Sequence, residues 1–241
     1  MTETRDETMP DGKWEFDEEV TAVFADMLER SIPQYQTMRR TVFEIGQRFR
    51  DRKDDLEPWV IDVGCSQGGA LEPFVNDGWA AGGYEISPPM VEAAQKRFKD
   101  RALVSIKKRD LRDAIPLVGP SGARANVVLA VLTLQFVPIN YRQAIVRRCF
   151  EALQDGGALI VVEKVLGDGA EIDQLMVDLY HDTKRRAGYS DESIQRKQMA
   201  LEGVLVPVTA AWNLDLLRKA GFREVDCFWA WMNFRGFLAV R

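Results

Sequence analysis

With 241 residues, 46% of them apolar and 29% charged, the chain has room for one well-buried α/β domain and too little for two. A net charge of −5 gives no global field to gather nucleic acid, and no apolar run approaches the roughly 20 residues of a bilayer span. Three widely spaced cysteines, Cys65, Cys149 and Cys227, argue against a disulfide framework and against a metal site. Together with a polar, acidic N-terminus they point to a cytoplasmic protein with no membrane association. The basic pairs and triplets, among them Arg39-Arg40, Lys107-Lys108-Arg109, Arg147-Arg148 and Lys184-Arg185-Arg186, read as solvated helix faces or loop edges.

In chain order, residues 1–13 read as a disordered tail and 14–241 as one domain. Helical spacing of Phe16, Val20, Val23, Phe24, Met27 and Leu28 predicts a first helix. A second follows Pro33 through Val42, Ile45 and Phe49, and the charged stretch "RDRKDDLEP" closes this helical preface. Strand and helix patterns then alternate. "WVIDVG" reads as a strand, "ALEPFVNDG" as a helix, "AAGGYEI" as a strand and "SPPMVEAAQKRFKD" as a helix with proline in its first turn. "LVSIKKRD" and "ANVVLAVLTL" are two further strands. "INYRQAIVRRCFEALQDGG" is a helix closed by a glycine pair, and "ALIVVEKV" a fifth strand. Such alternation predicts parallel βαβ units with helices on both faces of the sheet. The end differs: "VDCFWAWM", "NFRG" and "FLAVR" read as a hairpin with no helix between. The expected fold is therefore α/β and Rossmann-like, a seven-stranded, mainly parallel sheet finished by an antiparallel hairpin, as in class I methyltransferases. The N-terminal helices (14–55) and the helical insert 168–206 are expected to form a lid over the carboxyl edge of the sheet, where ligands bind in such folds.

The stretch Gly64-Cys65-Ser66-Gln67-Gly68-Gly69 occupies the frame of a dinucleotide fingerprint, with Ser66 where the second glycine would let backbone approach a pyrophosphate. That substitution counts against a nicotinamide or flavin dinucleotide. S-adenosylmethionine has no phosphate and needs only a tight turn, preceded here by Asp62 in the strand. Glu85 ends the second strand at the spacing of an acid that grips ribose hydroxyls. Asp110 follows the third strand, placed to accept from an adenine amino group. Acids at successive strand ends make S-adenosylmethionine the expected cofactor.

With these residues placed, the chain resembles the carboxy-S-adenosylmethionine synthases of bacterial transfer RNA wobble-uridine modification. The resemblance runs from Phe16 to Arg241 through "FDEEV", "VFADM", "RSIPQY", "DVGCSQG", "TLQF", "HDTKRRAGYS", "LEGVL", "KAGF" and "NFRGFLAV". It implies a methyltransferase fold, a homodimer, and conversion of S-adenosylmethionine and prephenate into carboxy-S-adenosylmethionine. It further implies that Tyr35 contacts the cofactor, that Gly64, Cys65 and Ser66 cradle it, that Glu85 with Ile86 meets the ribose, and that Asp110 and Leu111 flank the adenine. Two positions depart. Val131 stands where the family has an asparagine, and Gln198 where it has an arginine that binds the carboxylate of the product. Glutamine offers no charged fork to a carboxylate. Both positions are carried as cofactor-binding, and methyl transfer is the expected outcome, since it needs positioning and water exclusion more than acid–base groups. The acceptor, small molecule or nucleic acid, stays open. Tyr180, His181 and Arg185 are the candidate catalytic residues, with a packed or solvated helix face as the alternative. The rival readings are a non-catalytic cofactor-binding partner and a nicotinamide oxidoreductase.

Overall fold

The structure is a computed structural model that describes residues 5–50, 57–117, 119 and 122–241. Most of "RDRKDDLEP" and the start of the N-terminal tail lie outside the described residues. Two helices lead, α1 (Glu18–Ser31) and α2 (Tyr35–Gly46), the latter running into a 3-10 turn at Gln47–Phe49. Asp17 caps α1 by accepting from the Val20 N–H at 2.9 Å.

The strands are β1 (Trp59–Val63), β2 (Ala80–Glu85), β3 (Val104–Lys108), β4 (Ala125–Val131), β5 (Leu153–Leu166), the two-residue β6 (Val208–Thr209), β7 (Glu224–Trp231) and β8 (Phe234–Val240). Between them lie α3 (Glu72–Asn76), α4 (Pro88–Arg97), α5 (Ile139–Ala152), α6 (Ala170–Arg186), α7 (Asp191–Leu201) and α8 (Ala210–Lys219). The sheet runs in the order β3-β2-β1-β4-β5-β8-β7, with β1 to β5 parallel and β8 antiparallel to both neighbours. The seven strands of this path and the closing hairpin match the sequence expectation. β6 adds an eighth strand by pairing with the end of β5.

Alternation along β1 sends Ile61 into the cluster under α5 and α8, and Val60 into the one under α2, α3 and α4; both are fully buried. Such double burial explains why these strands read as continuous apolar runs. Two boundaries moved. The helix expected over "ALEPFVNDG" shrinks to the five residues of α3, because the glycine turn takes up the chain before it. The glycine pair expected to end a helix lies instead inside β5, where Gly156 N–H donates to Arg241 O at 3.1 Å and Arg241 N–H to Gly157 O at 2.9 Å.

A third, smaller cluster joins Trp14, Val20, Phe24 and Met27 to Met90 and to Ala200 of α7. It caps the carboxyl end of β1. The N-terminal segment belongs to this cap from Asp6 onward, which corrects the reading of residues 1–13 as a free tail. Asp6 and Thr8 are buried, and Asp6 pairs with Lys197. One carboxylate with two buried donors to satisfy anchors the segment, and composition cannot register that.

Candidate functional site

β1 ends in a turn that few sequences allow. Gly64 adopts φ +78° and donates to Tyr84 O at 2.8 Å; a Cβ there would run into the Thr133 side chain. Ser66 adopts φ +46°, the left-handed region that a residue with a side chain rarely occupies. What holds it is Glu85, whose Oε2 accepts from the Ser66 N–H at 2.9 Å while Oε1 accepts from Ile86 at 2.7 Å and Ser87 at 3.0 Å. The acid ending β2 thus fastens the turn ending β1. A second buried acid fastens the opposite wall. Glu163 accepts from Thr133 (3.2 Å), Leu134 (2.8 Å) and Gln135 (2.8 Å), the start of "TLQF". Leu132, just before, is also left-handed at φ +58°. Strained residues that the surroundings over-determine gather at binding sites, and both of these border cavities.

Two cavities meet at this turn, sharing Phe16, Gly64, Ser66, Leu132 and Phe136. The smaller, about 290 Å³, brings together Gly64, Ser66, Glu85, Ile86, Asp110 and Leu111, all of them named from sequence. Asp110 is not free within it. Arg112 Nε donates to both of its oxygens at 3.0 and 2.9 Å, and that guanidinium holds the carboxyl below its ordinary range. The larger cavity, about 320 Å³, is lined by Tyr35, Asp62, Cys65, Val131 and Tyr180, and also by Arg39, Gln135, Lys184 and Lys197.

Asp62 is fully buried, and burial with the nearby Glu85 charge pushes its carboxyl up to about 8, against the pull of Arg39. Its Oδ1 has no hydrogen-bond partner, and neither has Arg39 Nε. An unpaired carboxylate oxygen and an unpaired guanidinium N–H on one cavity wall match the two ends of an α-amino acid, ammonium to Asp62 and carboxylate to Arg39. The site therefore fits an aminoacyl group in the larger cavity and a nucleoside in the smaller. Cys65 is no nucleophile, because burial and the carboxylates of Asp62 and Glu85 push its thiol well above the ordinary range.

Three sequence candidates fall outside. Gln198 is exposed on α7, while its neighbour Lys197 turns inward onto the cavity. Arg185 is exposed and bridges Asp182 and Asp191, both at 2.6 Å. His181 is half-buried beside the Tyr180 ring, and burial with the surrounding cations lowers its pKa. Conversely, Arg39 and Lys184, read as solvated charge, line the cavity. Each follows an aromatic lining residue by one helical turn, Tyr35 before Arg39 and Tyr180 before Lys184, and Lys197 sits on the face of Ile194 and Ala200. Helix phase was the available signal. Asp6 completes the cationic wall, accepting from Lys197, from the Tyr189 hydroxyl and from Thr8 Oγ1 (2.6 Å).

A methyltransferase domain model matches residues 61–159. The carboxy-S-adenosyl-L-methionine synthase of Methylococcus capsulatus is 36% identical over 94% of this chain and 93% of its own. That of Desulforapulum autotrophicum is 35% identical over 99% and 94%. Among solved structures, an O-methyltransferase family protein from Burkholderia thailandensis superposes with a TM-score of 0.65 at 19% identity over 94% of this chain, which spans 60% of that protein's length. Magnesium protoporphyrin IX methyltransferase from Synechocystis PCC 6803, with S-adenosylhomocysteine bound, superposes with a TM-score of 0.57 at 16% identity over 96% of this chain and 90% of its own. The fold is that of the class I methyltransferases. The cofactor is S-adenosylmethionine, and the chain is an S-adenosylmethionine-dependent transferase. By its identity to these relatives over nearly its whole length, it belongs to the carboxy-S-adenosylmethionine synthase family.

Proposed function

We propose that the chain converts S-adenosylmethionine and prephenate into carboxy-S-adenosylmethionine, phenylpyruvate and water, the ring carboxyl of prephenate leaving as carbon dioxide as hydroxide departs, and that carbon dioxide replacing one proton of the S-methyl group. The observation that carries this reading is the cationic end of the larger cavity. Lys184 and Lys197 stand there beyond the cofactor's cradle, in a space suited to an organic acid. S-adenosylmethionine supplies, when bound, an activated one-carbon group on a sulfonium. The protein supplies position. Glu85, Ile86, Asp110 and Leu111 receive the nucleoside, and Asp62 and Arg39 the aminoacyl end. The ring pair of Phe16 and Phe136, 5.1 Å apart, stands where the two cavities join and keeps water from the junction. We read 14–241 as one domain whose helices in 14–55 and 168–206 act as the lid.

The expectation of methyl transfer rested on Gln198 and Val131. Gln198 faces solvent, and cations that it was held to leave missing are present in Lys184 and Lys197. Val131 does line the cavity and favours methyl transfer as a second reading. On the first reading the second substrate is a small acid rather than a nucleic acid. Among the described residues no helix is long and apolar enough to cross a membrane. We place the protein in the cytoplasm on its free thiols. The homodimer implied by the family has a candidate face in Ile172, Leu175 and Leu179, exposed at helical spacing on α6. Incubation with S-adenosylmethionine and prephenate, followed by mass spectrometry, is expected to yield a cofactor heavier by the mass of carbon dioxide, a carboxyl having replaced one methyl hydrogen. S-adenosylhomocysteine accumulating with a methylated product would support the second reading instead.

A further inference from the structure

Four cations line the larger cavity, Arg39, Arg97, Lys184 and Lys197, and Arg97 is paired with Glu72 at 2.9 Å. Lys197 is committed to Asp6, with side chains 4% and 0% exposed. That carboxylate also accepts from Tyr189 and from Thr8, which leaves it little capacity for another donor. Arg39 donates to the Gly69 carbonyl and has its Nε unpaired. Lys184 makes no ion pair with a described residue, and the Asp6 charge reaches it without a hydrogen bond. It is buried at 8% exposure on the cavity wall, and its ammonium makes no hydrogen bond to a described residue. Only ring faces meet it, Tyr180 at 5.0 Å and Tyr189 at 5.8 Å. An ammonium with three donors and only ring faces around it costs stability that an apolar side chain of equal length would not. Its place on a cavity wall gives that cost a purpose, because an arriving carboxylate completes it.

We propose that Lys184 is the carboxylate receptor of this cavity, its ammonium taking a carboxylate of the organic-acid substrate. This inference rests on the reading of that substrate given above. The family's arginine corresponds to the exposed Gln198 of α7, whereas Lys184 approaches from α6. Burial draws the Lys184 pKa down to about 8, and Asp6 opposes that fall. The charged and titratable groups around it are Asp6 from the N-terminal segment, Lys164 from β5, Tyr180 and His181 from α6, and Tyr189 and Lys197 from the α7 side. Asp6 is the acid in that set, and it already serves Lys197.

The test is calorimetric titration of prephenate into the protein saturated with S-adenosylhomocysteine, for the native chain, Lys184→Met and Lys184→Arg. Native protein is expected to bind at pH 7 and about tenfold more weakly at pH 9, as a lysine with its pKa near 8 loses its proton. Lys184→Arg should keep binding and lose that pH dependence, since guanidinium stays charged. Lys184→Met should bind at least roughly 30-fold more weakly. Its melting temperature should equal or exceed the native one, since an uncompensated buried charge has been removed. Retained binding in Lys184→Met, or a native affinity that does not change with pH, overturns the inference alone. A native protein that binds no prephenate overturns the proposed reaction and this inference with it.

Discussion

The two cavities share the glycine turn, Leu132 and the ring pair of Phe16 and Phe136, and differ in what else lines them. The smaller is made of strand ends, and its acids are already satisfied by the protein. Glu85 accepts from three backbone N–H groups, and Asp110 is forked by Arg112. The larger is made of helix-borne side chains and leaves charge unfinished at Asp62 Oδ1, Arg39 Nε and the Lys184 ammonium. A pocket whose acids are satisfied, with Arg109 Nε left unpaired, suits a neutral ligand able to accept a hydrogen bond. A pocket with unpaired buried charge is costly when empty and regains that cost from a ligand of complementary charge. Affinity and pH response should therefore concentrate in the larger cavity, while the smaller sets position.

The strongest way to break this contrast is Asp62→Asn, which removes the carboxylate meant for the cofactor's ammonium. Affinity for S-adenosylmethionine should fall about 100-fold, as for one lost partner of a buried charged pair. Affinity for adenosine, which the proposed arrangement puts in the smaller cavity alone, should hold within roughly threefold if the two pockets act independently. Titration of both ligands into the variant checks it, and equal losses would erase the distinction.

A change of pH should sharpen it. Asp62 must be ionised to meet an ammonium, and its carboxyl titrates at about 8 rather than in the ordinary carboxylate range. The ionised fraction grows as pH rises, so affinity for S-adenosylmethionine should climb about 15-fold between pH 6.5 and 8. Adenosine binding should stay flat. Lys184 runs the other way, losing its charge above about 8. Turnover that needs both groups charged should peak near pH 8 and fall on either side.

The smallest effect is expected at Gln198. Being exposed, it should tolerate Gln198→Ala with stability changed by no more than about 0.5 kcal/mol. Prephenate binding should change less than about twofold, again as for an independent surface site. A large loss in titration would put Gln198 back in the site.

The same contrast explains what the chain discloses when read as letters. Strand ends are local. An apolar run, a glycine and an acid fixed at the next strand end follow one another in sequence, so Gly64, Ser66, Glu85 and Asp110 stand out and do gather in one cavity. Helix-borne charge is decided by docking. Lys184 sits in a basic triplet that looks solvated, and only the packing of α6 against the cap turns it inward while Arg185 stays in water. Lys197 and Gln198 are adjacent, and one residue of helix phase, about 100°, separates a cavity wall from solvent. Asp6 is the furthest from legible, since its partner lies far along the chain on α7. Glu163 reads as one more strand residue until its three backbone donors are seen.

The most direct test of the proposed reaction is mass spectrometry of the purified chain with S-adenosylmethionine and prephenate labelled with heavy carbon in its carboxyl groups. The expected product is carboxy-S-adenosylmethionine carrying the heavy carbon, its yield falling when Lys184 is replaced by methionine. Unchanged S-adenosylmethionine, or S-adenosylhomocysteine with the label left on the acid, would contradict it.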